Sequence, residues 1–239
     1  MNNMKEVQPK TEQVKEMFDN IAPTYDSLNH ILSLSIDKVW RRRVVRNVRR
    51  LGAKSILDVA TGTGDLAIAM ARKIEESTIC GVDLSPQMLE VAKVKVAKGG
   101  LEQRITLMEG NSEHLDIVSE SFDAATIAFG IRNFENKQAC LKELARVIKS
   151  GGHLVILEFS NPTNPVIGFF YRLYSHKILP WVGGLISKNR SAYEYLPASV
   201  DGFPNPEKFS ELIQQCGFKS VKHHSQSFGI AQIYIAEKE

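Results

Sequence analysis

The stretch Ser55-Ile-Leu-Asp-Val-Ala-Thr-Gly-Thr-Gly-Asp-Leu66 decides the fold. Its first half is a short apolar run typical of a buried strand. Its second half is a glycine-rich turn that leads into the helical spacing of residues 65–75. A strand, a tight turn and a helix in this order are typical of a parallel βαβ unit. Because glycine lets the backbone approach a ligand closely, the same stretch also predicts a binding site at the end of the strand.

Strands and helices alternate on both sides of this turn. Apolar runs and turn residues predict strands at 55–60, 78–84, 105–110, 122–129, 153–159, 221–228 and 232–238. Helical spacing and capping residues predict helices at 65–75, 86–98, 136–149 and 206–216. The expected fold class is α/β, a Rossmann-like, mostly parallel seven-stranded sheet with helices on both faces.

No linker divides the chain, so we predict one domain over residues 1–239. Its expected segments are an N-terminal helical extension (1–50), a cofactor-binding core (51–160), an apolar insertion or lid (161–205), and a C-terminal helix with a strand pair (206–239).

The composition is that of a soluble globular protein, with 43% hydrophobic and 24% charged residues. It excludes disordered, fibrous and disulfide-rich classes, and a net charge of +3 is too small to indicate a nucleic-acid partner. The three widely spaced cysteines predict reduced thiols and no metal site. The N-terminus lacks a secretory pattern, and the most apolar stretch, 166–186, is interrupted by charges and proline. We therefore expect a cytoplasmic protein.

Two nucleotide cofactors compete for the glycine turn. Gly62-x-Gly64-x-x-Ala67 matches a dinucleotide-binding pattern, but Asp58 and Asp65 flank the turn, and a pyrophosphate requires a helix start without anions. S-adenosylmethionine (SAM) carries a sulfonium and an ammonium and no phosphate, so neighbouring acids attract it. The acids favour SAM. The alternative for Asp65 is an ordinary acid that complements the helix dipole.

Polar residues follow the next two predicted strands. Asp83 ends the second, where a carboxylate can accept bonds from both ribose hydroxyls. Asn111-Ser112 follow the third, where an amide can bond the adenine edge, although Gly-Asn-Ser is also ordinary turn chemistry. Because parallel strands end at one edge of the sheet, we expect these residues to face one cleft.

Several blocks resemble the ubiquinone/menaquinone C-methyltransferase family, from about Val14 to the C-terminus. Besides the glycine turn, they are Phe18-Asp-Asn-Ile-Ala-Pro-Thr-Tyr-Asp26, Leu28-Asn29, Phe129-Gly-Ile-Arg-Asn133, Leu157-Glu-Phe-Ser160, and Tyr193-Glu-Tyr-Leu-Pro197 with Ser199. The resemblance implies a class I SAM-dependent methyltransferase fold.

The resemblance also implies that Thr63, Asp83 and the Asn111-Ser112 pair bind SAM. With the residues of the turn, the expected cofactor-binding set is Thr63, Asp83, Asn111, Ser112, Asp58, Gly62 and Gly64. The sequence departs from the family pattern at three positions. Thr61 stands where many members have Gly, Ser112 where Ala is usual, and Ala128 where some have Ser, so no side-chain role is expected at 128.

The implied reaction transfers a methyl group from SAM to a ring carbon of a reduced polyprenyl quinone precursor. Demethylmenaquinol, methylated to menaquinol in the last methylation of menaquinone biosynthesis, is the expected acceptor. A 2-polyprenyl-6-methoxy-benzoquinol, or another small aromatic or lipid acceptor, is the alternative. A non-catalytic module that assembles on a membrane is a further hypothesis.

Ionising a ring hydroxyl makes the carbon nucleophilic, so such a site needs a proton acceptor or a phenolate stabiliser. The expected catalytic residues are Arg132, Asn133 and Tyr25. Arg132 would stabilise the phenolate or orient a water, Asn133 would hold that water or the second oxygen, and Tyr25 would bond the ring hydroxyl or close over the sulfonium. The alternatives are an exposed Arg132–Glu135 salt bridge and simple packing of Tyr25.

Two segments are candidates for membrane contact. The first is an apolar stretch that reads as a lid or interfacial element, or alternatively as ordinary core: Ile167, Phe169, Phe170, Leu173, Ile178, Leu179 and Trp181. The second is a basic helix that would lie on anionic lipid or form a solvated face: Lys38, Arg41, Arg42, Arg43, Arg46, Arg49 and Arg50. The expected partners are a polyprenyl quinol and, transiently, the inner face of the cytoplasmic membrane. A homodimer is left open.

Overall fold

The computed structural model describes residues 11–33, 35–178 and 190–239. Its centre is a sheet of seven strands: β1 (Ser55–Val59), β2 (Thr78–Asp83), β3 (Ile105–Glu109), β4 (Phe122–Ala128), β5 (Ile148–Phe159), β6 (Phe218–Gln226) and β7 (Ala231–Lys238). The strand order is β3-β2-β1-β4-β5-β7-β6. Strands β1 to β5 pair in parallel, and β7 runs antiparallel to both of its neighbours. The predicted mostly parallel seven-stranded sheet is confirmed.

The helices within the described ranges are α1 (Thr11–Ile21), α2 (Tyr25–Leu32), α3 (Ile36–Arg50), α4 (Asp65–Lys73), α5 (Pro86–Lys98), α6 (Lys137–Val147), α7 (Pro165–Leu173), α8 (Arg190–Asp201) and α9 (Pro206–Gln215). A π-helical turn, Tyr174–Ile178, follows α7. The side chain of Ser85 accepts a bond from the backbone N–H of Met88 and caps α5, as its sequence predicts. In the same ranges, no helix combines the length and apolar character needed to cross a bilayer.

Two hydrophobic clusters pack on opposite faces of the sheet. Along β5, Val155 and Leu157 belong to the cluster that includes residues of α3 and α4. Their neighbours Leu154 and Ile156 belong to the cluster that includes residues of α6 and α9. Because side chains alternate along a strand, this division shows that β5 is buried on both faces.

The start of β5 differs from the prediction of a helix to 149 and a strand from 153. Helix α6 ends at Val147 and β5 begins at Ile148. The ladder then shifts register, because Phe122 pairs with Ile148 whereas Ala124 pairs with His153. Gly151, at φ +72°, supplies the irregularity. The Ser-Gly-Gly run therefore interrupts a strand rather than ending a helix.

The carboxyl ends of β1 to β4 lie at one edge of the sheet, and two of the residues that follow them have a left-handed backbone. Ala60, after β1, has φ 53°, and Phe129, after β4, has φ 62°. Non-glycine residues adopt this region seldom, and bulky ones are outliers. Such outliers concentrate at functional sites, so the backbone conformation indicates that a functional site lies at this edge of the sheet.

Candidate active site

A cavity lies at the strand ends, beneath α1, and we call it the strand-end cavity. Its wall includes Gly62, Asp83, Asn111 and Ser112 of the predicted cofactor set, together with Asn133 and Tyr25. The expectation that the ends of three successive strands face one cleft is confirmed by this arrangement.

Asp83 is held rigidly at the end of β2. Its Oδ2 accepts a bond from the backbone N–H of Gly62 (2.7 Å between N and O), and its Oδ1 accepts one from Ser85 (2.9 Å). Burial raises the pKa of this carboxyl, and the backbone N–H groups oppose that effect. Asp83 thus ties the glycine turn to the start of α5 and presents a fixed carboxylate to the cavity.

Asn111 combines the two roles weighed for it. Its Oδ1 accepts a bond from the backbone N–H of Glu113 (2.9 Å), which closes a turn through its own side chain. Asn111 also lines the cavity with Ser112, so the turn places the pair at the end of β3. Binding of the adenine edge there stays a prediction.

The structure does not bring Asp58 to the wall of the strand-end cavity. Its oxygens accept bonds from the hydroxyls of Thr126 (2.6 Å) and Thr61 (2.7 Å), and the residue is only 1% exposed. Burial raises its pKa to about 6. Thr61, which stands where many members of the family have Gly, thus serves as a hydroxyl partner of Asp58. Asp58 stabilises the turn from inside the protein.

Thr63 and Gly64 also lie outside the cavity wall. The hydroxyl of Thr63 donates to Asp26 of α2, and the backbone N–H of Gly64 donates to the carbonyl of Thr61. The side chain of Lys95 lies between Asp26 and Asp65 and bonds both. The prediction that Asp65 attracts the cofactor is therefore wrong, because the ammonium of Lys95 already pairs with this acid.

Other acids give the strand-end cavity its charge. Three carboxylates line it, those of Asp83, Glu113 and Glu135, against one ammonium, that of Lys15. Lys15 pairs with Glu109 at 2.9 Å, and Glu135 accepts bonds from the N–H and hydroxyl of Thr11. The wall therefore suits a cationic ligand. The sequence analysis did not single out Glu113, and it considered Glu135 only as a partner of Arg132, although both follow strand ends.

A second cavity, of about 300 Å³, lies beside the first, and we call it the aromatic cavity. The aromatic rings that line it come from the sheet edge and from the helices above: Phe18, Tyr25, Trp40, Phe129, Phe159, Tyr171, Tyr174 and Tyr195. Phe18, Tyr25 and Phe129 line both cavities. The strained Phe129 and the N-terminal Tyr25 thus form part of a shared wall.

Arg132 lines the aromatic cavity and is buried. Its Nη1 lies 2.7 Å from Oε1 of Glu158, a residue with 0% exposure, and also donates to the carbonyl of Phe129. Its guanidinium lies 5.3 Å from the centre of the Phe159 ring. Burial lowers the pKa of Arg132, but the charge and hydrogen bond of Glu158, together with Tyr25 and Tyr195, outweigh that effect and hold the pKa above its usual value. The alternative of an exposed salt bridge with Glu135 is wrong.

Asn133 and Tyr25 connect the two cavities. Oδ1 of Asn133, in the strand-end cavity, accepts a bond from the hydroxyl of Tyr195, in the aromatic cavity (3.0 Å). Burial raises the pKa of Tyr25, while the charges of Arg132 and Arg41 oppose that effect, so its phenol stays neutral near pH 7. Glu158 and Tyr195 are functional candidates that the sequence analysis missed. An acid inside the apolar run of β5 is the signal that would have found Glu158.

Asp58 gives a testable pH dependence. Its folded pKa is about 6, above the ordinary 3.8, so its contribution to stability is present at low pH and is lost as the pH rises through 6. We expect the difference in unfolding free energy between the parent protein and Asp58→Asn to fall by about 1 kcal/mol from pH 5 to pH 7. Urea titrations at both pH values measure it, and an unchanged difference would contradict the raised pKa.

Comparisons with known proteins agree with this architecture. A model of the ubiE/COQ5 methyltransferase family matches residues 4–238. A demethylmenaquinone methyltransferase from Bacteroides fragilis is 43% identical over 229 residues, which cover 96% of this chain and 94% of the relative. A ubiquinone/menaquinone biosynthesis C-methyltransferase from Geotalea daltonii is 46% identical over 230 residues, which cover 96% and 97%.

Solved structures support the fold at low identity. A SAM-dependent methyltransferase from Thermotoga maritima aligns with a TM-score of 0.63 at 18% identity, over 94% of this chain and 99% of that one. Another, from Aquifex aeolicus, aligns with a TM-score of 0.55 at 17% identity, over 78% and 82%. The expected methyltransferase fold is confirmed, and the chain belongs to the ubiE/COQ5 methyltransferase family.

Proposed function

We propose that this protein transfers the methyl group of SAM to a ring carbon of a reduced polyprenyl quinone precursor, with demethylmenaquinol as the acceptor. The observation that carries the proposal is the shared wall of Phe18, Tyr25 and Phe129. It separates an acidic cavity, suited to a cationic methyl donor, from an aromatic cavity that contains a buried arginine. The relatives named for demethylmenaquinone and ubiquinone/menaquinone methylation support the choice of acceptor.

The residues of the strand-end cavity fit SAM. Asp83 offers a fixed carboxylate for the ribose hydroxyls, and Asn111 and Ser112 lie where the adenine edge would bind. Glu113 and Glu135 add the negative charge that favours a sulfonium and an ammonium. When bound, SAM supplies an activated methyl group on a cationic sulfur. Asp58, Thr63 and Gly64 then act indirectly, by shaping the turn that carries Gly62.

Arg132 would stabilise the negative charge that develops on the ring oxygen. It does not act as a base, because Glu158 keeps its guanidinium protonated. The pairing with Glu158 and the stacking on Phe159 hold the guanidinium in place before the reaction, so little reorganisation is needed. Tyr195 orients the Asn133 amide, and Tyr25 would bond the ring hydroxyl as a neutral phenol.

The surroundings of the aromatic cavity fit an acceptor with a long apolar tail. Several exposed apolar residues are sequence neighbours of residues that line this cavity. Phe169 and Phe170 precede Tyr171, and Phe228 follows Ser227. Their exposed fractions are 59%, 62% and 79%, far above those of core residues. We propose that α7, within the 161–205 insertion, meets the inner face of the cytoplasmic membrane as a peripheral element. Leu179 and Trp181 of the predicted lid lie outside the described residues.

A vesicle experiment tests this membrane contact. We expect the variant Phe169→Ser with Phe170→Ser to bind vesicles of anionic phospholipid at least about tenfold more weakly than the parent, because burial of each ring contributes roughly 1.5–3 kcal/mol. Val118→Ser is the matched control, since Val118 is 79% exposed but lines neither cavity. Co-sedimentation measures the binding. Equal binding by all three proteins would argue against contact through α7.

Methyl transfer itself is tested with labelled SAM. The protein is incubated with short-chain demethylmenaquinol and, separately, with a short-chain 2-polyprenyl-6-methoxy-benzoquinol, and the products are identified by mass. We expect the product to be menaquinol that carries the labelled methyl group on its ring carbon. Transfer to the benzoquinol alone would favour the alternative acceptor. If no methyl group is transferred to any reduced quinone, the proposed activity is contradicted and the hypothesis of a non-catalytic membrane module is favoured.

A further inference from the structure

The aromatic cavity contains a second arginine–carboxylate pair, a partly buried arginine with a buried carboxylate, which the proposed mechanism does not use. Arg41 of α3 donates to Asp37, one turn earlier in the same helix, and both line the cavity. Asp37 is 3% exposed and also accepts bonds from the hydroxyl of Ser33 (2.6 Å) and from Nδ1 of His30 (2.9 Å). Asp37 is thus held in place by two further side chains and fixes the direction of the Arg41 guanidinium.

The two arginines flank one pair of aromatic rings. The guanidinium of Arg41 lies 5.5 Å from the centre of the Phe129 ring, and that of Arg132 lies 5.3 Å from the centre of the Phe159 ring. The two rings are 4.6 Å apart. Each guanidinium is paired with its own buried carboxylate, one supplied by the helical cover and the other by the end of β5. The cavity therefore offers two separate, pre-oriented cationic donors.

A reduced para-quinone presents two oxygens on opposite sides of its ring. When one oxygen carries the phenolate charge beside Arg132 and Tyr25, the other still needs a hydrogen-bond partner once it is removed from water. Asn133 lines the strand-end cavity and not the aromatic cavity, so another residue must supply that bond. We propose that Arg41, held by Asp37, binds this second ring oxygen and thereby selects acceptors with two para oxygens. The inference rests on the proposed function. In the proposed function, Arg41 is a positioning residue that sets which ring carbon faces the methyl donor.

A purely structural role for Arg41 is the competing explanation. Its Nη1 also lies 3.6 Å from Asp65, so it helps attach α3 to α4. Loss of such a role would lower stability and slow methylation of every acceptor alike. Loss of an oxygen-binding role would slow only acceptors that carry the second oxygen. A comparison of two acceptors therefore separates the explanations.

The experiment compares short-chain demethylmenaquinol with an analogue that lacks the hydroxyl para to the activating one. We expect the parent protein to favour the full quinol in kcat/KM by about tenfold or more, the effect of a hydrogen bond to a charged group. In Arg41→Gln the ratio of the two kcat/KM values should fall close to the ratio of the intrinsic reactivities of the two compounds. Most of this change should come from a lower kcat/KM for the full quinol. Arg42→Gln, an exposed neighbour that bonds the carbonyl of Lys38, should keep the parental ratio.

Three outcomes decide the matter. A parental ratio retained in Arg41→Gln would overturn the proposal, and so would a parent protein that methylates both compounds equally well. If Arg41→Gln does not fold, Arg41→Lys keeps the charge beside Asp37 but loses the planar fork, and its ratio should lie well below that of the parent. A parent protein that methylates neither compound would instead contradict the proposed function.

Discussion

The Arg132→Ala variant should lose about 3–5 kcal/mol of unfolding free energy, an unusually large effect for one substitution. The reason is Glu158, which has 0% exposure and whose Oε1 lies 2.7 Å from Nη1 of Arg132. Without the guanidinium, a carboxylate stays in the protein interior with no cation beside it, although the backbone N–H groups of residues 132 and 159 still reach it. Urea unfolding at pH 7 measures the loss.

A double variant separates the buried charge from the lost packing. Arg132→Ala combined with Glu158→Gln removes the charge and keeps one oxygen, which can accept one of the two backbone bonds, so it should recover part of the stability. A single variant within about 1 kcal/mol of the parent would contradict the buried pair. Methyl transfer should be abolished in both variants while SAM affinity is retained, since Arg132 lines the aromatic cavity and not the strand-end cavity.

The Asp83→Ala variant should bind SAM about 100-fold more weakly or worse. Each hydrogen bond to a charged group contributes roughly 1.5–3 kcal/mol, and the carboxylate is placed to accept two from the ribose. The substitution also releases the backbone N–H groups of Gly62 and Ser85, so the turn that forms the cavity wall loses its anchor. Isothermal titration calorimetry measures the affinity.

Two controls make this result specific. Glu102→Ala removes an exposed acid that lines neither cavity and should leave SAM affinity unchanged. NADH should bind the parent protein weakly, because its pyrophosphate would meet the carboxylates of Glu113 and Glu135. Tight binding of NADH, or full SAM affinity in Asp83→Ala, would overturn the assignment of the strand-end cavity to SAM.

The sequence alone predicted the seven strands, the helices α4, α5, α6 and α9, the helical N-terminal extension, and the edge of the sheet that carries the candidate site, although it misplaced the start of β5. These features depend on local patterns, such as the glycines of the turn, the Ser85 cap and the apolar run of β5, and physical chemistry acts on them within a few residues. The same local logic placed Asp83 and the Asn111-Ser112 pair correctly in the cavity wall. It also indicated the family, because the matching blocks are contiguous in the chain.

Only the tertiary structure decided which charges meet. Arg132 pairs with Glu158, 26 residues away, because β4 and β5 are neighbours in the sheet. Thr63 bonds Asp26, 37 residues away, because α2 packs over the glycine turn. Asp58 and Asp65 were expected from their positions beside the turn to attract the cofactor, yet one is buried against hydroxyls and the other is paired with Lys95. The spacing of acids along a chain sets their number near a turn, whereas the partners they find on folding set the charge that a ligand encounters.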